Sequence, residues 1–161
     1  MEISVAGVIT GLLHVAVKTA DLAATLRFYT EVLGLQETAR PDFGYPGAWI
    51  SVPQPGGQSI IHIYAGGPAL GPMGTSALGT GAIDHISLTA IGYHEFASRF
   101  REHNVPFREF IVPGTTLWQL FAYDPSGVQF ELTFDARVEA GPPPDTSAGR
   151  SYVAGQSFFI S

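Results

Sequence analysis

One pattern of strands around a single helix occurs twice in this chain, and it constrains the fold more than any other feature. Residues 12–19 alternate apolar and polar side chains as a half-buried strand does, and residues 83–90 repeat that alternation. In each copy a helical pattern follows, and three more strand patterns separated by turn residues complete the unit. The sequence therefore predicts an α+β fold of two repeated βαβββ modules.

The other elements are predicted from spacing and from turn residues. Apolar residues at helical spacing from Leu22 to Leu33 predict the first helix, and Gly34 suits a left-handed C-terminal cap. The second helix is predicted at 93–103, because Pro106 prevents its continuation. The remaining strands are predicted at 34–40, 47–53 and 59–66 in the first copy and at 107–113, 117–124 and 127–135 in the second.

The repeat divides the chain into four segments of one structural domain. The first module is predicted at 1–66, a linker loop rich in Gly, Pro, Ser and Thr at 67–81, and the second module at 82–135. The linker can also cover a site. The segment 136–161 is predicted to be an extended tail whose apolar end packs against the body or against a partner subunit.

Composition excludes several classes of function. The chain has 14 acidic and 8 basic residues, so neither nucleic acid nor an anionic membrane is an expected partner. It contains no cysteine, which rules out disulfides, thiolate zinc sites and cysteine nucleophiles. The first residues lack the charge pattern of a secretory signal, so a cytoplasmic location is expected.

Four ionisable residues occupy matching positions on the polar faces of the repeated strands. His14 and His85 lie in the opening strands, and His62 and Glu131 lie in the closing strands. A carboxylate in the middle of a strand is costly unless it is solvated, paired or bound to a cation. If the two sheets close around one cavity, His14, His85 and Glu131 can converge as a ligand set that leaves open positions on a divalent metal ion.

Three stretches resemble the vicinal oxygen chelate superfamily, which contains glyoxalase I, methylmalonyl-CoA epimerase, fosfomycin resistance proteins, extradiol dioxygenases and bleomycin resistance proteins. They are "LLHVAVKTADLAATLRFYTEVLGL", "GAIDHISLTA" and "FAYDPSGVQFEL". The resemblance implies a curved eight-stranded cleft holding one divalent metal ion (Fe, Mn, Ni, Co or Zn) bound by His14, His85 and Glu131. It places His62 where glyoxalase I has a glutamate, as a fourth ligand or as a base.

The function that the resemblance favours is that of a metal-dependent isomerase or lyase of the glyoxalase and epimerase type. Such an enzyme chelates two neighbouring oxygens of a small substrate and stabilises the negative charge that develops there. An Fe(II) extradiol dioxygenase is an alternative, although Phe121 and Val112 to Gly114 stand where its tyrosine and histidine would be. A small-molecule binding or resistance protein with little catalysis is the third possibility.

Further residues are predicted around this site. Alternation places Tyr64 on the face of His62, where it would act in catalysis or line the pocket. Trp49 and Trp118 are predicted to line the substrate pocket with it. Proteins of this architecture commonly pair, so a homodimer is expected, with modules paired within one chain or swapped between chains.

Overall fold

The eight strands form two separate four-stranded sheets in the computed structural model, which describes residue 7 and residues 9–160. The sheets have equivalent orders, β1-β4-β3-β2 and β5-β8-β7-β6, so the predicted fold class of two βαβββ modules is confirmed. The strands are β1 (Val15–Lys18), β2 (Gln36–Thr38), β3 (Gly47–Ser51), β4 (Ser59–Tyr64), β5 (Ile86–Thr89), β6 (Phe107–Ile111), β7 (Leu117–Tyr123) and β8 (Gln129–Asp135).

The two sheets share the same register as well as the same order. The parallel pairing of β1 with β4 sets Ala16 opposite His62, and the pairing of β5 with β8 sets Ser87 opposite Glu131. In both modules the histidine before the opening strand lies two residues ahead of that pair. His62 and Glu131 therefore occupy equivalent places in the repeat.

His14 and His85 each lie one residue before their strand, whereas the sequence pattern included them in it. Each opening strand is an edge strand, and its ladder with the neighbouring closing strand covers only four residues. Both histidines therefore lie directly before the first residue of an edge strand.

The first helix changes its geometry part-way along. Helix α1 (Leu22–Arg27) begins at the Asp21 cap, and a π-helical turn (Phe28–Val32) follows it where the sequence predicts one continuous helix. The hydroxyl of Thr30 donates to the Leu26 carbonyl at 2.8 Å, an acceptor that an α-helical amide would otherwise use. Gly34 ends the segment with a φ of 69°, as predicted. Helix α2 (Tyr93–Glu102) agrees with its predicted range to within one residue.

A single hydrophobic core joins the two modules. Phe28 and Tyr29 pack against Phe130 of β8, with ring centroids 6.3 and 5.5 Å apart. The buried hydroxyl of Tyr29 donates to Asp124 at 2.9 Å, and the amides of Ser126 and Val128 donate to the same carboxylate. Burial raises the pKa of Asp124, and these three donors oppose that rise.

The tail is docked on the second module. Glu139 accepts hydrogen bonds from the first amides of α2, including that of Tyr93 at 2.7 Å. Further on, the Glu109 amide donates to the Arg150 carbonyl, and the Tyr152 amide donates to the Glu109 carbonyl, both at 2.9 Å. The tail therefore pairs with β6 through one isolated parallel bridge, between Glu109 and Ser151. Within the described part of the chain, no helix is long and apolar enough to cross a membrane.

Candidate metal centre and substrate cleft

The predicted ligands of the second module are in contact, and we call His85 and Glu131 the second half-site. Nε2 of His85 lies 3.1 Å from Oε2 of Glu131. The other carboxylate oxygen accepts hydrogen bonds from the hydroxyls of Ser87 and Thr133, each at 2.6 Å. Glu131 is 7% exposed, and this pairing offsets the cost of burying its charge.

Asp84 supports His85 from the opposite side of the ring. Its Oδ1 lies 2.6 Å from Nδ1 of His85. A carboxylate on the far nitrogen fixes the orientation of an imidazole and is the usual partner of a metal-binding histidine. Asp84 is not among the residues predicted from the sequence, although its position directly before a predicted ligand is a usable signal.

The first module carries a different arrangement, and we call His14 and His62 the first half-site. The two rings stack with centroids 3.8 Å apart, and Trp49 stacks on the other face of His62 at 4.5 Å. Nδ1 of His14 is buried and has no hydrogen-bond partner among the described residues. Burial, followed by the charges of His14 and Arg40, lowers the pKa of His62 and favours its neutral ring.

Aromatic residues and one cation extend the first half-site. Tyr64 lies on the same strand face as His62, and its ring contacts that of Tyr45 at a centroid distance of 5.6 Å. The guanidinium of Arg40 lies 4.7 Å from the ring centroid of Phe43 and 4.9 Å from that of Tyr45. The sequence interpretation did not include Arg40, because it follows the end of β2 and belongs to no recognisable motif.

Trp118 is not a pocket residue in this structure. It pairs with Phe134 across the sheet and packs against Tyr93 of α2, with ring centroids 5.4 Å apart. Glu131 lies opposite Phe121 on the neighbouring strand. Trp118 and Phe121 are an odd number of residues apart on β7, so strand alternation turns Trp118 to the other face, which is the core face. The tryptophan predicted for the pocket is therefore a core residue under the second helix.

The tail brings Tyr152 onto the second half-site. Its ring stacks on Phe121 with centroids 3.6 Å apart, and Phe121 in turn meets the His85 ring edge to face. The Tyr152 hydroxyl donates to Asp84 at 3.3 Å. Burial is the main cause that raises the pKa of Tyr152, so its phenol stays protonated at neutral pH. The apolar end of the tail predicts that it docks, but no sequence pattern indicates Tyr152 in particular.

A single chain does not bring the four predicted ligands together. Among the residues that the structure describes, no three His, Asp or Glu side chains are grouped closely enough to hold a metal ion. His85 meets Glu131, and His14 meets His62, so the expected convergence of His14 with the other two is absent within one chain. The donors themselves, imidazole nitrogens and a carboxylate, still fit a divalent metal ion, as does the unpartnered nitrogen of His14.

A family model described as the Glyoxalase/Bleomycin resistance protein/Dioxygenase superfamily matches residues 11–132, which span both modules. The chain belongs to this superfamily. A lactoylglutathione lyase from Escherichia coli O157:H7 is 29% identical over 127 residues, covering 75% of this chain and 90% of that protein. A lactoylglutathione lyase from Salmonella typhi is also 29% identical, with the same coverage.

Solved structures of the superfamily share the fold at low identity. A genomically encoded fosfomycin resistance protein from Listeria monocytogenes gives a TM-score of 0.59 at 18% identity, covering 79% of this chain and 94% of its own. A lactoylglutathione lyase from Agrobacterium tumefaciens gives 0.58 at 17% identity, covering 80% and 96%. These matches support the architecture.

A cavity of about 490 Å³ lies between the opening strands of the two modules in this superfamily member. Its walls include His85 and Ser87 from the second module and Lys18 from the first, and the linker contributes Gly79 and Thr80. A small oxygenated molecule has room here beside the second half-site. The linker thus lies where it can cover the site.

Proposed function

We propose that the protein is a metal-dependent lyase or isomerase of the glyoxalase and epimerase type, acting on a small molecule with two neighbouring oxygens. The observation that carries this proposal is the contact between His85 and Glu131, with Asp84 orienting the imidazole. The register-equivalent pair His14 and His62 supplies the matching half. Membership of the superfamily and the likeness to lactoylglutathione lyases support the same reaction class.

We further propose that two copies of the chain complete the site. The first half-site of one copy would face the second half-site of its partner, so that His14, His85 and Glu131 bind one divalent ion, with His62 as a fourth ligand or beside it. This proposal rests on the separation of the two pairs within the chain and on the unpartnered nitrogen of His14. A symmetric dimer would contain two such sites.

Each residue has a defined task in this scheme. The bound ion would supply Lewis acidity to the two substrate oxygens. His62 is proposed to take the proton from the adjacent carbon, since it lies on the polar face between His14 and Trp49. Glu131 supplies a largely buried carboxylate, and Tyr64 and Trp49 form the wall beside His62.

Elemental analysis of protein purified without added metal tests the metal centre. We expect one divalent ion per chain in the parent and a loss of most of it in His14→Ala, His85→Ala and Glu131→Ala. Glu31→Gln, which removes an exposed carboxylate from the first helix, is the matched control and should keep the metal. Variants that hold as much metal as the parent would show that the proposed site is wrong.

Mixed dimers test the assembly. His14→Ala and Glu131→Ala are each expected to be inactive, but refolding them together should restore about a quarter of the parent's sites, because one site of each mixed dimer contains no substitution. A site built within one chain would gain no metal and no activity on mixing. This outcome would contradict a site shared between two chains. The metal content of the single variants would still test the proposed ligands.

Turnover assays test the reaction class. We expect the metal-loaded protein to isomerise hemithioacetals formed from 2-oxoaldehydes and thiols, or to exchange the proton beside a carbonyl. Oxygen consumption with catechols would instead indicate the dioxygenase. Tight binding of such molecules without turnover would indicate a binding protein.

A further inference from the structure

A second cavity, of about 440 Å³, lies between the linker and the tail. The linker contributes residues 78–81, the start of the second module contributes Ile83 and Asp84, and the tail contributes Tyr152 and residues 155–157 and 159. Gly79, Thr80 and Ile83 also line the cavity that contains His85, so the two cavities are neighbours that share one wall. Asp84 lines the second cavity and contacts His85, so a group bound in the second cavity would lie next to the second half-site.

Three polar side chains meet in the second cavity. The Tyr152 hydroxyl lies 3.3 Å from Oδ1 of Asp84, and the Gln129 amide lies 3.3 Å from that hydroxyl. All the hydrogen bonds of the Asp84 carboxylate within the described chain use Oδ1, including the contact with His85. Its Oδ2 therefore remains an acceptor for a donor on a bound molecule.

Asp84 gives the second cavity its charge, since it is the one charged side chain among the described residues that line it. Arg40, the cation of the first half-site, does not line it. Tail residue Arg150 is engaged elsewhere, since it pairs with Glu109 and lies over the Phe107 ring. A bound molecule thus meets a carboxylate here with no cation to offset it.

Apolar and aromatic walls surround this carboxylate. The rings of Tyr152, Tyr123 and Phe159 and the side chain of Ile83 line the second cavity. Flat apolar groups pack well against such rings, and the ring faces also attract cations. The walls and the carboxylate therefore favour the same ligand, a compact aromatic group that carries an amine or a hydroxyl.

The tail holds this wall in place before any ligand binds. Glu109 is 4% exposed and pairs with Arg150, and it also accepts hydrogen bonds from the Tyr93 hydroxyl at 2.5 Å and the Asp145 amide at 2.9 Å. Its backbone binds the tail on both sides of Ser151. Tyr152 is thereby fixed on Phe121, which lowers the cost of ordering the cavity on binding.

We propose that the second cavity binds the distal part of the substrate through Asp84, Gln129 and Tyr152, and selects aromatic molecules bearing an amine or hydroxyl over those bearing a carboxylate. This inference rests on the proposed function, because it names the substrate class of the same site. It assigns the tail a role in specificity and the linker a role as the partition between the reacting group and the distal group.

Two matched series of probes separate the second cavity from the metal centre. Dopamine, 4-ethylcatechol and 3,4-dihydroxyphenylacetate carry the same neighbouring oxygens with a cationic, neutral or anionic end. Phenethylamine and phenylacetate lack those oxygens and test the cavity in metal-free protein. Calorimetric titration should show dopamine binding metal-loaded protein about tenfold more tightly than 3,4-dihydroxyphenylacetate, with 4-ethylcatechol between them, and phenethylamine preferred over phenylacetate.

Variants assign this preference to residues. Asp84→Asn should reduce the dopamine preference to about twofold or less. Tyr152→Phe should weaken dopamine about threefold and leave 4-ethylcatechol unchanged, because the ethyl end makes no hydrogen bond and the stack on Phe121 stays. Glu31→Gln removes one remote carboxylate and should leave the order of affinities unchanged. The metal content of Asp84→Asn is measured in parallel, since that carboxylate also orients His85.

Several results would overturn the inference. Equal affinity within both series, an anion preference, or no binding by any probe would each contradict it while leaving the metal centre standing. If the anion preference also disappears in Arg40→Gln, the cation of the first half-site selects the substrate instead. If the parent protein binds no metal but still selects the probes by charge, the second cavity is upheld and the proposed function is wrong.

Discussion

The two half-sites occupy equivalent places in a repeated backbone but use different chemistry. In the second module, an imidazole and a carboxylate, His85 and Glu131, contact each other, and Asp84, Ser87 and Thr133 hold them in position. In the first module, rings stack face to face, and no carboxylate contacts them among the described residues. The repeat thus fixes where side chains point, while their chemistry has diverged.

The surroundings of the two half-sites also differ. The tail lies beside the second half-site and places Tyr152 over Phe121. Trp49 is the equivalent of Phe121 in the first module, and it stacks on His62 itself. We infer that the second half-site is built to hold a fixed negative charge, and that the first is built to present neutral imidazole.

Removing the charge of the second half-site should have the largest effect. Glu131→Gln keeps the size of the side chain but loses its charge, so metal affinity should fall at least about 100-fold. Titration of metal-free protein with Zn²⁺ measures this change. Glu31→Gln should retain the parent affinity, and an unchanged affinity in Glu131→Gln would end the distinction drawn between the half-sites.

Replacing the central ring of the first half-site comes next. His62→Gln should lower kcat about 100-fold with most of the metal retained if His62 is the base, because general-base catalysis has effects of that size. Steady-state kinetics and metal analysis of the same sample measure both. Loss of the metal together with activity would make His62 a ligand. The exposed His103→Gln is the control and should behave as the parent.

The tail should stabilise the second module through Glu109. Burial would raise the pKa of Glu109, but hydrogen bonds from Tyr93, Arg150 and the Asp145 amide outweigh it and lower that pKa below its usual 4.5. The carboxylate therefore contributes stability above about pH 4.5, and that contribution is lost as the pH falls through the lowered value.

Glu109→Gln should accordingly lower the free energy of unfolding by about 2 kcal/mol at pH 7. Urea unfolding at a series of pH values should show the difference from the parent shrinking as the pH falls below about 4.5. A difference that is independent of pH would contradict this account. Glu102→Gln, which removes an exposed carboxylate at the end of α2, provides the comparison.

The smallest effect is expected where the modules meet. Tyr29→Phe removes the buried hydrogen bond to Asp124, so unfolding should become easier by about 1 kcal/mol. Urea unfolding followed by fluorescence and by circular dichroism should remain one transition, because the modules share a core. Two separate transitions would show that the modules are independent. Tyr45→Phe is the control, since its hydroxyl makes no hydrogen bond within the described chain.

Much of the fold could be predicted because the repeat makes every element occur twice. Alternation placed His62 and Glu131 correctly on the polar faces, and the observed registers of both closing strands agree with it. Alternation also places Trp118 and Phe121 on opposite faces of β7. The prediction that Trp118 lines the pocket relied on its aromatic ring and not on this alternation. The π-helical turn was not predictable from spacing, since it depends on the hydrogen bond of Thr30.

The site was predictable in its residue types and less so in its assembly. The candidate ligand residues follow from the repeat, but which of them meet depends on how two curved sheets are placed in space, and no periodicity encodes that. The pairing of His14 with His62 and of His85 with Glu131 therefore appeared only in the structure.

By itself the sequence determined the two-module fold, the polar faces and the identity of the ionisable residues on them, because these follow from local spacing along strands. Only the tertiary structure decided that Asp84 contacts His85, that Tyr152 stacks on Phe121 beside the second half-site, and that the candidate ligands form two pairs. These depend on contacts between segments far apart in the chain, where packing and hydrogen bonding choose the partner.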